Sequence, residues 1–493
     1  MRAQLKEFIQ TGSIYSVGTL TERGIRLLYL PIVTAFVAPS AYGVVAVATV
    51  AAEFFARLMA PYKSALNRYY YNPEFVERRP RLIFTLFSLL FIKTVLAAGV
   101  FVLVAPLLAR VLASEQSDGV LVFQLFALIV LFQPVSSFLK TMLRLQQKAV
   151  LYVVVSILHV VTSLALVVIL LAMLDMGIAA IPLAGAGGLF VSSLIMLPVL
   201  MRTAQVRFDL RTCREPLSYG YPLIFSAYSN YALQSADRLI LRVFCPLSLV
   251  GVYHIAYTVS SAVNFLLVMP TKQALHPIAF KKESDPDTQK RFLRRTATLY
   301  YSFALWAGLA VSLFAKEILM VFARDESYWQ GWVLIPLIVF AYVQHGLGNF
   351  VGLGMVMRKK AFLQSGTLVV TAAVNIGLNF LLIPRVGLMG AAIATVAAYI
   401  VWNLQKGYFS WKYYELGFEY GRLLLLTGIW IILLVPGLIL SQDFSAGGIA
   451  AKLGIIGLFP LIIYGSGFLK SDEKAFLVEI VQRVRYMLAR VRG

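Results

Sequence analysis

One feature recurs along almost the whole chain of 493 residues: apolar stretches of about 20 residues, separated by short polar segments. A helix of about 20 apolar residues is long enough to cross the ~30 Å hydrocarbon core of a bilayer. With 60% hydrophobic and 14% charged residues, the composition also lies outside the range of soluble domains. We therefore predict an all-α integral membrane protein with about fourteen spans, at residues 13–37, 41–62, 82–109, 119–139, 150–173, 177–201, 217–241, 248–271, 296–322, 331–355, 361–383, 387–409, 421–441 and 448–469.

Basic residues occur in every second segment between the predicted spans. The chain has 44 Lys and Arg against 23 Asp and Glu, a net charge of +21. Basic residues cluster around 63–81, 140–148, 202–214, 281–295, 358–360 and 406–422, whereas each intervening segment holds at most one. The positive-inside rule predicts that the basic segments and both termini are cytoplasmic. Because the charge is dispersed and forms no single patch, we expect no nucleic-acid partner.

Glycines and short turns recur at matched positions in the two halves of the chain. Gly43 in "APSAYGVVAVATV" corresponds to Gly251 in "PLSLVGVYHIAYTV", and Gly177 corresponds to Gly387. The pattern predicts two pseudo-symmetric six-helix lobes that enclose a cavity and alternate between inward-open and outward-open states. Chance similarity between apolar segments is the alternative explanation. The predicted divisions are a first lobe at 1–205, a second lobe at 206–415, two added helices at 416–470 and an amphipathic cytoplasmic tail helix at 471–493.

Charged residues inside the predicted spans are the first candidates for function, because each costs roughly 2.5–3.5 kcal/mol to insert at a helix centre. Basic side chains that line a cavity form an anion site, and the guanidinium fork of arginine suits phosphate oxygens. The carboxylates are candidates for ion coupling or salt bridges. The predicted cavity cations are Arg23, Arg26, Arg57, Lys93, Arg238 and Lys272, and the carboxylates are Glu22, Glu53 and Asp237.

Aromatic and amide side chains accompany these charges and are predicted to bind a glycan, whose pyranose faces and hydroxyls require flat rings and hydrogen bonds. They are Tyr29, Tyr228, Asn230, Tyr231 and Gln234.

Structural roles remain open for the charged pairs. Glu53 and Arg57, spaced i, i+4, can neutralise each other within one helix. Asp237 and Arg238 are neighbours that point about 100° apart on a helix, so they are not expected to pair well with each other. Salt bridges between the lobes are their structural alternative.

The sequence contains no motif that indicates catalysis. We find no GxxxxGK[ST], HExxH or GxSxG pattern, and every segment predicted to be external is short. We predict a protein that is not an enzyme and has no cofactor and no metal site.

Four segments resemble a known family. Residues 26–50 ("RLLYLPIVTAFVAPSAYGVVAVATV"), 64–74, 219–266 and 375–403 ("NIGLNFLLIPRVGLMGAAIATVAAYIVWN") resemble the polysaccharide-export branch of the multidrug/oligosaccharidyl-lipid/polysaccharide (MOP) flippase superfamily. Within that branch they resemble the Wzx-type flippases of O-antigen, capsule and exopolysaccharide synthesis. Asp237 and Arg238 match the family's Asp-Arg position, while the first span lacks the closely spaced arrangement of charges found in lipid II flippases.

The resemblance implies a flippase of the bacterial inner membrane. Its substrate would be an undecaprenyl-diphosphate-linked oligosaccharide, moved from the cytoplasmic to the outer face by alternating access through a cationic cavity. Its partners would be that glycan, membrane lipid and other polysaccharide-assembly proteins, such as a polymerase or a chain-length regulator.

Three alternatives remain open. A cation-coupled multidrug exporter of the same superfamily would need an acid-rich cavity. A membrane glycan polymerase or ligase would need a substantial external loop. A scaffold subunit of an envelope-synthesis machine would transport nothing itself.

Overall fold

The computed structural model describes residues 18, 20–25, 27–281, 286–358, 360–440, 445–470 and 473–474. Within these ranges the chain is helical and has no β-strand. Arg26 and nearly all of the predicted tail helix lie outside the described residues. In chain order the helices are α1 (Tyr29–Phe36), α2 (Pro39–Arg57), α3 (Ala60–Tyr69), α4 (Arg79–Leu112), α5 (Gly119–Leu145), α6 (Ala149–Val168), α7 (Ala180–Thr203), α8 (Leu210–Gly220), α9 (Leu223–Phe244), α10 (Leu247–Val263), α11 (Met269–Lys281), α12 (Pro286–Leu313), α13 (Ala315–Phe322), α14 (Ile335–Val351), α15 (Leu353–Met357), α16 (Ala361–Tyr413), α17 (Tyr420–Leu440) and α18 (Ala446–Gly465).

The all-α membrane fold is confirmed, and the predicted count of about fourteen spans is approximate. Eleven described helices are long and apolar enough to cross a membrane. One of them, α16, has non-helical backbone at Val386 and Gly387 and so contains two of the predicted spans. A further predicted span, α9, has the length to cross but carries Asp237, Arg238 and Arg242. Residues upstream of α1 belong to the first predicted span and are only partly described.

The described residues form two compact units. The first takes its residues from Met1–Val259, Leu319–Leu334 and Ser365–Ala398, and the second from Ser260–Ile318, Ile335–Gln364 and Tyr399–Gly493. In the first unit, α5 packs against α2, α4 and α7, and α6 packs against α7. In the second unit, α12 packs against α14 and α17.

Two glycines allow α2 and α10 to cross in backbone contact within the first unit. A Cβ placed on Gly43 would lie 2.1 Å from the carbonyl oxygen of Leu247, and one placed on Gly251 would lie 2.1 Å from that of Pro39. Each glycine thus packs against the residue four positions before the other. This reciprocal contact is what a pseudo-twofold relation between Gly43 and Gly251 requires, and a side chain at either position would separate the helices.

The other pair of matched glycines shares an unusual backbone conformation. Gly177 has φ +55° and Gly387 has φ +57°, the left-handed region that L-residues with a side chain seldom adopt. Each follows a long apolar helical segment and starts the next one. The positive φ therefore explains why glycine occurs at both matched positions.

Polar side chains connect four helices of the second unit. Asn403 of α16 donates to the backbone oxygen of Gln344 in α14 (2.9 Å), and the Gln344 amide donates to the hydroxyl of Tyr301 in α12 (2.8 Å). The Tyr301 hydroxyl lies 2.8 Å from that of Thr427 in α17. Hydrogen bonds of this kind satisfy polar groups that water does not reach and join helices in a membrane. This series of hydrogen bonds joins α17, one of the two helices added after the predicted repeat, to α12.

Candidate functional site

The first unit contains a cavity of about 670 Å³. Its volume falls in the ~300–1,000 Å³ range of pockets that enclose small ligands. Most of the residues that line it have polar or charged side chains. The lining residues come from the helical residues 20–25 and from six further helices: Glu22, Arg23, Tyr29, Leu30, Tyr42, Glu53, Ile129, Gln133, Ser136, Ser137, Lys140, Thr141, Arg144, Tyr152, His159, Val160, Ser163, Gly185, Leu189, His254 and Thr258.

Helix α5 supplies one side of the cavity as a continuous stripe. The lining residues from Ile129 to Arg144 recur every three or four positions, the spacing of one helical face. They extend over roughly 22 Å, at 1.5 Å per residue. The stripe changes from hydroxyl and amide groups to basic groups at its end. The helix therefore aligns hydrogen-bonding groups with Lys140 and Arg144 along one wall.

The charges of the cavity are mixed, with cations in excess. Arg23, Lys140 and Arg144 face it together with the carboxylates Glu22 and Glu53. The Lys140 amine lies 3.9 Å from a Glu22 carboxylate oxygen, a loose ion pair. Both side chains are largely shielded from solvent, with 16% and 14% exposed. An anion would therefore compete with Glu22 for Lys140 and would find Arg144 one helical turn away.

Near the α2–α10 crossing, aromatic rings form part of the cavity wall. The rings of Tyr42 and His254 lie 5.5 Å apart, and both residues line the cavity. The Nδ1 atom of His254 accepts a hydrogen bond from Nε of Arg238 (3.1 Å), so the ring's remaining proton is on Nε2. Gly43 directly follows Tyr42 in the sequence, and Gly251 shortly precedes His254. The two rings are therefore near the point at which the backbones of α2 and α10 are in contact.

Glu53 and Arg57 bond to each other, as their spacing predicts. Nη2 of Arg57 lies 3.3 Å from Oε2 of Glu53. The guanidinium also lies 5.3 Å from the ring centre of Tyr231. Arg57 lines a second cavity of about 80 Å³ with Lys63, Gln133 and Ser137, and the last two residues line both cavities. Lys63 donates to the Ser137 hydroxyl (3.3 Å).

The predicted glycan-binding residues of α9 contact α2 or their own helix. The Tyr228 hydroxyl donates to the Phe54 carbonyl (3.0 Å), and the Tyr231 hydroxyl donates to the Val50 carbonyl (2.5 Å). Gln234 donates to the side-chain oxygen of Asn230 (3.1 Å), and Asn230 is exposed. Of the five predicted glycan-binding residues, only Tyr29 is in the wall of the 670 Å³ cavity.

Asp237 and Arg238 are buried in a network between α9 and α10. Arg238 donates to His254 and, through Nη1, to the Gln234 carbonyl (2.9 Å), and its guanidinium lies 4.3 Å from the ring centre of Tyr257. Asp237 accepts from the Tyr253 hydroxyl (2.5 Å) and from the Arg238 backbone N–H (2.9 Å). The two side chains were not expected to pair well, yet Nη1 lies 3.7 Å from Oδ1 because the long arginine side chain folds back.

Lys93 and Lys272, the other two predicted cavity cations, lie apart from this cavity wall. Lys93 of α4 is exposed and donates to the Tyr221 hydroxyl (2.6 Å). Lys272 of α11 belongs to the second unit and is exposed, and its charge acts on His345 and Lys406 of the same unit.

Much of the α5 wall was not predicted from the sequence. The predicted span ends at residue 139 and leaves Lys140 and Arg144 in a cytoplasmic segment, whereas α5 continues to Leu145. The signal is visible in the sequence as polar residues at Gln133, Ser136 and Ser137, followed by the two basic residues at helical spacing. His159 and Tyr152 have no comparable signal, because single polar residues in an apolar helix do not reveal which face they occupy.

Comparisons with known proteins agree with this architecture. A model of the family described as "Polysaccharide biosynthesis protein" matches residues 8–282. A probable low-salt glycan biosynthesis flippase, Agl15 of Haloferax volcanii, is 21% identical over 217 residues, which are 44% of this chain and 46% of that protein. An uncharacterized membrane protein of Methanocaldococcus jannaschii is 22% identical over 280 residues, 52% of this chain and 53% of that protein. The chain spans about half the length of the curated relatives it matches.

Solved structures share the fold. The lipid II flippase MurJ in an inward closed conformation superposes with a TM-score of 0.73 at 13% identity, covering 92% of this chain and 99% of MurJ. An inward-facing MATE multidrug resistance transporter of the MOP superfamily gives 0.56 at 13% identity, covering 84% and 96%. The predicted resemblance to the MOP superfamily is thus confirmed in the fold. The family model covers more than half of the residues of this chain, so the chain belongs to the polysaccharide biosynthesis protein family.

Proposed function

We propose that the protein is a flippase that moves an undecaprenyl-diphosphate-linked oligosaccharide from the cytoplasmic to the outer face of the bacterial inner membrane. The observation that carries this proposal is the 670 Å³ cavity, whose wall combines basic groups with hydroxyl, amide and aromatic groups. The fold shared with a lipid II flippase and the similarity to a glycan biosynthesis flippase support it.

The wall suits the polar part of such a lipid. Arg23, Lys140 and Arg144 supply the charge-assisted hydrogen bonds that phosphate oxygens accept. The Gln133 amide and the hydroxyl groups that α5 contributes to the wall can bond sugar hydroxyls. The volume is of the order that holds a small ligand, so it accepts a diphosphate with a few sugars rather than a polymer. This favours a single repeat unit as the cargo.

Transport would use the α2–α10 crossing as a gate. Gly43 and Gly251 bring the two backbones together beside one part of the cavity. Separating these helices would expose the cavity at the crossing, and closing them would exclude solvent there. By the positive-inside rule, the crossing lies toward the outer face and the basic end of α5 lies toward the cytoplasm. The substrate would therefore enter near Arg144 and leave near Tyr42.

Two basic residues of α5 provide the test of this proposal. We expect Lys140→Gln and Arg144→Gln each to lower transport roughly 10- to 100-fold at limiting substrate, since a hydrogen bond to a charged group contributes about 1.5–3 kcal/mol. Arg110→Gln is the matched control, because Arg110 lies in the last turn of α4 and is exposed outside the cavity wall. The readout is the lipid-linked glycan that accumulates in cells carrying each variant. If Lys140→Gln and Arg144→Gln transported as well as the Arg110→Gln control, the α5 wall would be rejected as the binding site.

A multidrug exporter is the second candidate, favoured by the MATE-like fold and by Glu22 and Glu53 in the cavity wall. Its substrates are cations, for which the excess of basic groups is unfavourable. Efflux of ethidium from cells expressing the protein, lost on Glu53→Gln and unaffected by Arg144→Gln, would favour this candidate over the flippase.

A further inference from the structure

We propose that Lys93, Tyr221 and Tyr62 form a binding site for the phosphate of an anionic phospholipid. The Lys93 amine donates to the Tyr221 hydroxyl (2.6 Å), and it lies 5.2 Å from the ring centre of Tyr221 and 5.5 Å from that of Tyr62. The two tyrosine hydroxyls lie 3.4 Å apart. The ammonium of Lys93 and the hydroxyls of Tyr221 and Tyr62 thus lie close together.

The charge of Lys93 is not balanced by a carboxylate among the described residues. Among the described residues its side-chain partners are Tyr221 and Tyr62, and it does not line either of the two cavities described above. An ammonium has three N–H donors, of which the two tyrosines engage at most two. At least one donor is left for an anion, and phosphate oxygens accept such bonds in a charge-assisted form.

The surroundings of Lys93 are those of a lipid-facing surface. On the same helix Ile92 is 52% exposed and Leu96 is 63% exposed, and Phe225 of α9 is 72% exposed. Apolar side chains this open to solvent on a membrane helix contact acyl chains. The ligand that reaches Lys93 therefore carries both acyl chains and a negative headgroup.

The depth of the site matches a headgroup. Helix α9 has 22 residues, about 33 Å at 1.5 Å per residue, which is close to the hydrocarbon thickness. Tyr221 lies just before the start of α9, after the short helix α8, so it lies near the membrane interface. Lys93 lies about 21 Å along the 34-residue helix α4 from Arg79, and its long side chain extends to the Tyr221 hydroxyl at this level. Tyrosine and lysine side chains that end at the interface reach phosphates of the leaflet. The positive-inside rule assigns this end of α9 to the cytoplasmic leaflet, where anionic lipids attract basic side chains.

Binding here would stabilise the corner between α8 and α9. A Cβ placed on Gly220 would lie 2.5 Å from the carbonyl oxygen of Pro61, so the corner already contacts α3 at backbone distance. Lys93 adds α4 to the same contact through Tyr221. A phosphate bound by Lys93 and the two hydroxyls would therefore link three helical elements and oppose movement of the corner.

Native mass spectrometry of the delipidated full-length protein tests the site, with phosphatidylglycerol and phosphatidylcholine titrated separately. We expect phosphatidylglycerol to bind in preference, Lys93→Gln to weaken its tightest binding step about tenfold, and Lys93→Arg to retain most of it. Tyr221→Phe, which removes one hydroxyl, should weaken it severalfold. Lys148→Gln is the matched control, because Lys148 is an exposed lysine at the start of α6, and it should change binding less than twofold.

Two results would overturn the proposal. Unchanged binding of phosphatidylglycerol by Lys93→Gln would show that the lysine does not hold the lipid. Binding of undecaprenyl diphosphate at Lys93 without competition from phosphatidylglycerol would assign the site to the carrier lipid instead. Retention of the ordinary elution profile by Lys93→Arg and Tyr221→Phe separates loss of the site from loss of the fold.

Discussion

The buried network around Arg238 yields a prediction about stability. Arg238→Met preserves the length of the side chain but removes the bonds to His254 and Gln234, and it leaves the Asp237 carboxylate buried without its cation. Removing one partner of a buried ion pair costs about 3–5 kcal/mol. We expect a loss in this range, toward its lower end, because Asp237 retains the Tyr253 hydroxyl and a backbone N–H.

The double variant separates burial of an unpaired charge from loss of packing. Asp237→Asn in the Arg238→Met background removes the negative charge, while the amide oxygen can still accept from Tyr253. We expect it to recover about 2 kcal/mol, giving a clear coupling energy in a double-mutant cycle. Unfolding in mixed micelles can be followed by labelling of Cys213, a buried free thiol. Arg110→Met, at an exposed site, is the control.

This prediction also distinguishes the two roles considered for Arg238. A loss below about 1 kcal/mol, or no recovery in the double variant, would refute the structural role. Normal stability together with abolished transport would instead make Arg238 a substrate-binding cation.

Two further predictions concern packing and pH. Gly251→Ala should cost about 1–3 kcal/mol, because its Cβ would meet the Pro39 carbonyl, whereas Gly99→Ala, with nothing within 4 Å, should be neutral; equal unfolding free energies would contradict the close crossing. At Glu419, between α16 and α17, partial burial opposes ionisation, but hydrogen bonds from Lys470 and Arg422 outweigh it, so the pKa is lowered. A lowered pKa stabilises the fold above the unfolded pKa of about 4.3 and ceases to do so as the pH falls through the folded pKa. The stability difference between wild type and Glu419→Gln should therefore be constant at neutral pH and shrink below about pH 4, and a difference that grew on acidification would refute the assignment.

The sequence was sufficient for the fold class and for most helix positions, because hydropathy and spacing depend on local residues. It also matched Gly43 with Gly251 and Gly177 with Gly387, since each pair meets the same backbone requirement. The partners of individual side chains were harder to predict from the sequence. Nothing local indicates that Arg238 bonds His254, sixteen residues away on the next helix. The predicted span 119–139 also ended before Arg144, whereas α5 continues to Leu145.

At the site, too, residue positions could be predicted from local sequence, whereas contacts between helices depend on tertiary packing. Glu22, Arg23, Tyr29 and Glu53 were predicted from charge or aromatic character inside a span, and all four are in the cavity wall. The polar stripe of α5 has a helical period that sequence could reveal, but which helices it faces depends on the packing of α2 and α6 against α5.

The most direct test of the proposed function is to deplete the protein in its host and determine which membrane face the lipid-linked glycans occupy. We expect an undecaprenyl-diphosphate oligosaccharide to accumulate on the cytoplasmic face and to disappear when the wild-type chain is restored. Accumulation on the outer face, or no accumulation at all, would contradict flipping by this protein.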